Sequence, residues 1–174
     1  MQTHSETKGL LRRAVNFLKR KKPRQALKVL LKAKAKDRNN ALVYYNLGLA
    51  YKALKEYRRA MDCYQSALSR DPKLTDAVVC QAYIFGFKGN YHRELASYDE
   101  VLRRDPKHAI ALYNKAVVLD DEFKKPRLAI PLYCRTLKLP LTRQQKRGVH
   151  LRLVYGYLDI RQYKKAAESL KKLL

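Results

Sequence analysis

Apolar positions between Ala41 and Leu74 recur at helical spacing. Tyr44, Leu47, Gly48 and Tyr51 fall three, one and three residues apart and share one helical face; Ala60, Tyr64 and Ala67 mark a second face, and Pro72 closes the stretch. The pattern predicts two helices joined by a short turn. It also repeats: Ala14, Gly48, Ala82 and Ala116 recur at one constant interval, and Phe17, Tyr51, Phe85 and Leu119 recur at the same interval. A small residue lets two helices approach, and the larger one three positions on fills the space behind it. A unit of this size cannot bury its apolar face alone, so a fixed repeat period predicts stacked units with a continuous core.

The stretch 41–74 resembles a tetratricopeptide repeat, with Tyr44 standing where that family most often has Trp. The resemblance implies an all-α fold, a right-handed α-solenoid of about five helix–turn–helix repeats forming a single domain over 1–174. The repeats run approximately over 7–40, 41–74, 75–108, 109–146 and 147–174, giving ten helices and no strand.

Several positions depart from the pattern. Pro23 suits the first turn of a second helix, but Arg38 replaces the closing proline and predicts a less constrained exit turn. Asp71-Pro72 and Asp105-Pro106 are helix stops. Glu94 occupies a family alanine position, where a carboxylate has to reach solvent or a basic partner. One residue is inserted before Ala129, and Pro131 falls inside the expected second helix, predicting a late start or a distorted first turn. About three extra residues around 142–146 precede the fifth repeat. No polar capping helix follows it, so Ala167, Leu170, Leu173 and Leu174 form an uncovered face, and a homo-oligomer through the C-terminal helix is one expectation.

Charge changes this picture more than composition does. Of 174 residues, 39 are Lys or Arg and 15 Asp or Glu, a formal net charge of +24. Such a field attracts anionic partners, nucleic acid or anionic lipid among them; it also serves solubility, and both readings stand. The charge is concentrated in the first repeat, where Lys19, Arg20, Lys21, Lys22 and Arg24 cluster at the turn and Lys28, Lys32 and Lys36 continue at helical spacing as a stripe. These eight residues are the candidate anion-binding surface. No run of apolar residues is long enough to span a membrane. Cys63, Cys80 and Cys134 have neither zinc nor disulfide-framework spacing, which fits a reducing cytoplasm.

Catalytic patterns are not found. His4, His92, His108 and His150 lack metal-ligand spacing; Gly86-Phe87-Lys88-Gly89 lacks phosphate-loop spacing; Asp120, Asp121 and Glu122 are adjacent and splay apart on a helix. The expectation is a protein that is not an enzyme, with no cofactor and no metal.

In the resembled family the first helix of each repeat lines the concave face. Carried over by register, that places Leu11, Val15, Leu42, Tyr45, Asn46, Leu49, Val79, Tyr83, Phe87, Tyr113, Asn114, Val117, Leu151 and Tyr155 in a groove, with Asp120 and Asp121 as further polar points. Tyr45, Tyr83 and Tyr113, about one repeat apart, suggest an aromatic ladder. Tyrosine offers a large contact area with a polar tip. The partner expected is another protein, as an extended peptide or a helix. A family subset clamps chaperone-tail carboxylates with Lys, Asn and Arg. Asn46 matches one position, but Asp76 and Cys80 stand where Lys and Arg are needed, so that binding is not expected.

Overall fold

The structure, a computed structural model, describes residues 2–173. Among them are ten α-helices: α1 Gln2–Lys19, α2 Pro23–Lys36, α3 Ala41–Ala53, α4 Tyr57–Arg70, α5 Thr75–Phe87, α6 Tyr91–Arg104, α7 Ala109–Asp121, α8 Pro126–Leu137, α9 Arg143–Asp159 and α10 Tyr163–Lys171. No strand occurs among the described residues. The helices fall into two compact units, Met1–Lys88 and Gly89–Leu174.

In the first unit α1 packs on α2, α3 on α4, and each pair on the next through α2 against α3 and α4 against α5. α3 is apolar almost all round because α1, α2 and α4 all cover it. α2 and α4, open to solvent on one side, bury a single stripe: Ala26, Leu30 and Ala33 in one, Ala60, Tyr64 and Ala67 in the other. In the second unit α7 pairs with α8 and α9 with α10, while α6 covers α7 and α8 covers α9. Its core gathers Ala116, Leu119, Ala129, Tyr133, Val149 and Leu153. The small-residue column is fully buried at Ala14, Ala82 and Ala116, and Gly48 is buried too.

Polar side chains close the helix ends. Asn40 accepts from the Leu42 and Val43 amides at 3.1 and 3.4 Å, and Asn90 from Arg93 N at 3.2 Å. The exit turns are Asx turns, in which Asp71 and Asp105 each accept from the amide two residues on at 3.0 Å. Asp37 does the same towards Asn39 at 3.3 Å, so the first repeat builds this turn without the proline. A last-turn arginine then ties two of the second helices to the preceding exit turn: Arg70 donates to the Arg38 carbonyl at 3.2 Å and Arg135 to that of Pro106 at 3.0 Å.

Two sequence expectations need correction, the start of α8 and the surroundings of Glu94. α8 does not start late: it begins at Pro126 and runs through Pro131. Pro131 and Arg127 are both exposed, so the carbonyl that the proline leaves without a partner lies on the solvent side. The extra residues before the fifth repeat extend α9 at its N-terminus. There Thr142 and Gln145 form a capping box, Gln145 N to Thr142 Oγ1 at 3.2 Å and Thr142 N to Gln145 Oε1 at 2.8 Å. Glu94 neither reaches solvent nor takes a basic partner among the described residues. It is 8% exposed and accepts a hydrogen bond from the Tyr98 hydroxyl at 3.0 Å, one helical turn away.

Candidate functional site

The groove positions from the sequence divide into three groups. Leu42, Tyr83, Phe87, Leu151 and Tyr155 are between 45% and 61% exposed. Leu11, Val15, Tyr45, Leu49, Tyr113, Asn114, Val117, Asp120 and Asp121 are half-buried. Asn46 and Val79 are buried, contrary to expectation. Asn46 turns back on its own helix, its Nδ2 donating to the Leu42 carbonyl at 2.7 Å. Ile110, 51% exposed on α7, was missed, although it stands two repeat periods after Leu42. Leu42, Tyr83, Phe87, Ile110, Leu151 and Tyr155 thus give the first helices of four repeats, α3, α5, α7 and α9, large exposed apolar side chains.

The tyrosine ladder is out of register. Val79, not Tyr83, stands one repeat period after Tyr45 and one before Tyr113; Tyr83 belongs to the column of Leu49 and Val117. The environments differ accordingly. Tyr45 leans on Tyr64, ring centroids 6.2 Å apart, and Tyr113 leans on Tyr133 at 6.0 Å. Both therefore form part of the core margin. Burial raises the Tyr45 hydroxyl well above its ordinary range, helped by nearby Cys80 and Asp76. Tyr83 is open to solvent and carries the Lys52 ammonium over its ring at 5.0 Å. Phe87 stacks obliquely on Tyr57, centroids 4.3 Å apart, and is still 61% exposed.

Asp120 and Asp121 end α7. Lys124 and Lys125, close by in sequence, form no ion pair with them among the described residues. Arg152 of α9 donates to Asp121 Oδ1 at 2.6 Å instead. Asp120 is pushed above the usual carboxylate range by burial and then by the Asp121 charge, with Arg152 opposing. Arg152 and Asp159 lie on α9, and only the packing of the second unit brings them to the end of α7.

All eight residues of the basic stripe, Lys19, Arg20, Lys21, Lys22, Arg24, Lys28, Lys32 and Lys36, are exposed. Lys36 pairs with Glu6. Lys21 adopts a left-handed backbone, φ 56°, at the turn between α1 and α2. On α10, Tyr163 and Leu170 are 64% and 51% exposed and Ala167 is exposed; just beyond the helix Leu173 is half-buried, and Leu174 lies outside the described residues. Among the described residues no group of three His, Cys, Asp or Glu is placed to hold a metal ion, and no helix is long and apolar enough to cross a membrane.

Solved structures share this arrangement. The Pseudomonas aeruginosa PilF structure superposes with a TM-score of 0.88 at 18% identity, over 99% of this chain and 77% of that one. PilW, described as a widely conserved type IV pilus biogenesis factor, gives 0.78 at 21% identity, over 96% and 76%. MamA from Desulfovibrio magneticus RS-1 gives 0.73 at 22% identity, over 96% and 92%. At these identities the likeness concerns the fold, an all-α tetratricopeptide-type solenoid. Among curated proteins no sequence matches significantly. Two family profiles, both described as tetratricopeptide repeat, match residues 41–74 and 81–139, together more than half of the chain. With its helix pairs, its buried small-residue column and these matches, the chain belongs to the tetratricopeptide repeat family, whose repeats serve as protein–protein interaction scaffolds.

Proposed function

We propose that this scaffold holds a segment of a partner protein along its first helices. The observation that supports the reading most is the set of large apolar side chains left exposed on α3, α5, α7 and α9. Exposed apolar residues gathered on one class of helix mark interaction surfaces, and aromatic anchors supply most of the binding energy in such surfaces. The test is affinity purification from the native cell, with nuclease treatment, using the wild-type chain and a Leu42→Ser, Tyr83→Ser, Phe87→Ser variant. The variant is expected to keep its melting temperature and lose its partner. A folded variant that retains every partner rejects the reading.

A second reading concerns the stripe on α1 and α2. All eight of its cations lie at the surface, which leaves them accessible to phosphate. Phosphate contacts would give an affinity that falls steeply with salt. Replacing Lys19, Arg20, Lys21, Lys22 and Arg24 by Glu is then expected to abolish binding to RNA or anionic vesicles. Salt-insensitive binding, or none at low salt, removes this reading.

A further inference from the structure

Two concavities of the second unit share the facing sides of α7 and α9. The first, about 390 Å³, is walled by Ile110 and Tyr113 of α7, Leu141 of the connecting loop, and Gly148 and Val149 of α9. A Cβ on Gly148 would meet nothing within 4 Å, so this glycine opens the hollow rather than serving a tight contact. The second, about 500 Å³, lies towards the C-terminal ends of both helices and is walled by Asp120, Asp121, Lys124, Arg152, Tyr155 and Asp159.

In this second concavity carboxylates outnumber cations, Asp120, Asp121 and Asp159 against Lys124 and Arg152. Asp121 is the last residue of α7 and Asp159 the last of α9, so two negative helix ends and three carboxylates converge there. Arg152 takes Asp121, while Asp120 and Asp159 make no ion pair among the described residues. Beneath them Tyr133 is wholly buried, its hydroxyl close to Asp120, Asp121 and Arg152. Asp120 is half-buried beside the Asp121 charge, so a cationic donor there would offset both the burial and the repulsion. The chain as a whole carries a net charge of +24 and repels cations, so an excess of carboxylates in one cleft is a selective feature of this surface. Tyr155, 58% exposed, lines the same concavity and adds an aromatic ring to it, a side chain that suits a guanidinium.

The two concavities are centred some nine residues apart along each helix, roughly 13–15 Å at 1.5 Å per residue. An extended chain advances about 13 Å in four residues, and residues four apart point to the same side. We propose that the second unit binds an extended partner segment carrying an apolar side chain and, four residues away, a lysine or arginine. The apolar side chain enters the hollow beside Gly148, and the cation sits between Asp120 and Asp159. This rests on the scaffold reading and gives its partner a chemistry.

The probes are fluorescein-labelled peptides of Gly and Ser carrying one Leu and one Arg, titrated onto the full chain by anisotropy. Leu and Arg are set four apart or three apart, in both orders, and Arg is replaced by Glu in a further set. Four-residue spacing in one order is expected to bind at least about tenfold more tightly than three-residue spacing or the Glu peptide. Asp120→Asn with Asp159→Asn should weaken that binding about tenfold, and Lys124→Ala should strengthen it. Gly148→Leu should block it while leaving the melt unchanged or higher, since leucine favours helix over glycine and meets open space. No binding by any peptide, affinities independent of spacing, or wild-type binding by folded Asn and Leu variants would each overturn the proposal. If those variants still retain the native partner, the inference fails while the scaffold reading stands.

Discussion

Gly48 and Tyr64 occupy one space. A Cβ on Gly48 would lie 2.4 Å from Tyr64 Cε1 and 2.6 Å from its Cδ1. The Tyr64 ring is fully buried between α3 and α4, with Ala60, Ala77 and Ile84 in the same core cluster. A wholly buried ring in close-packed surroundings has little room to move aside. Gly48→Ala is therefore expected to destabilise by about 1–3 kcal/mol, outweighing alanine's better helix propensity. Chemical denaturation checks this; a variant as stable as the wild type would mean the ring can move aside. Gly48→Ala with Tyr64→Leu should recover part of the loss, because the two residues share one volume.

The inter-helix turns carry a second relationship. Lys21, Lys55, Lys124 and Arg161 have φ of 56°, 63°, 52° and 59°, and Gly89 has 74°. Each is the left-handed residue between the helices of its repeat, and only one is glycine. A side chain there costs about 1 kcal/mol. Lys55→Gly is expected to raise stability by up to about 1 kcal/mol and Gly89→Ala to lower it similarly. Thermal melts decide; a Lys55→Gly variant that melts lower would mean that the lysine side chain contributes more than the backbone costs.

Glu94 predicts a pH dependence. Burial pushes its carboxyl above the usual range, the Tyr98 hydrogen bond opposes, and Glu122 adds to the rise. The folded state then binds this proton more tightly than the unfolded chain. The stabilisation is complete below the ordinary carboxylate value and is lost as pH rises through the raised value. Glu94→Gln should be more stable than wild type at about pH 7, by roughly 1 kcal/mol, and gain nothing at about pH 4. Parallel melts across that interval test it. A constant difference at all pH would place the effect in packing instead of ionisation.

The three tyrosines should separate by role. Tyr83→Ala is expected to change stability by less than about 0.5 kcal/mol, as an exposed position does. Tyr45→Ala and Tyr113→Ala remove rings that lean on Tyr64 and Tyr133 and should each cost about 2–3 kcal/mol. Binding losses at Tyr83 then report contact with a partner, whereas those at the other two must be read beside their melts.

The repeat period by itself determined the helix pairs, their turns and the buried small-residue column, because regular spacing within a helix and from one repeat to the next records which side chains must share a face. It also marked most of the exposed first-helix residues, and Ile110 was available from the same period. Tertiary structure decided the rest. Pro131 fits inside α8 because its face is exposed, and residues 142–146 join α9 because Thr142 and Gln145 cap each other. Glu94 finds a hydroxyl, and Asp121 pairs with Arg152 on another helix. Tyr45 and Tyr83 look alike in the sequence but differ in burial, since one lies over Tyr64 and the other faces solvent. A local pattern fixes the face on which a residue lies. What stands opposite that face depends on packing between helices, which no periodicity encodes.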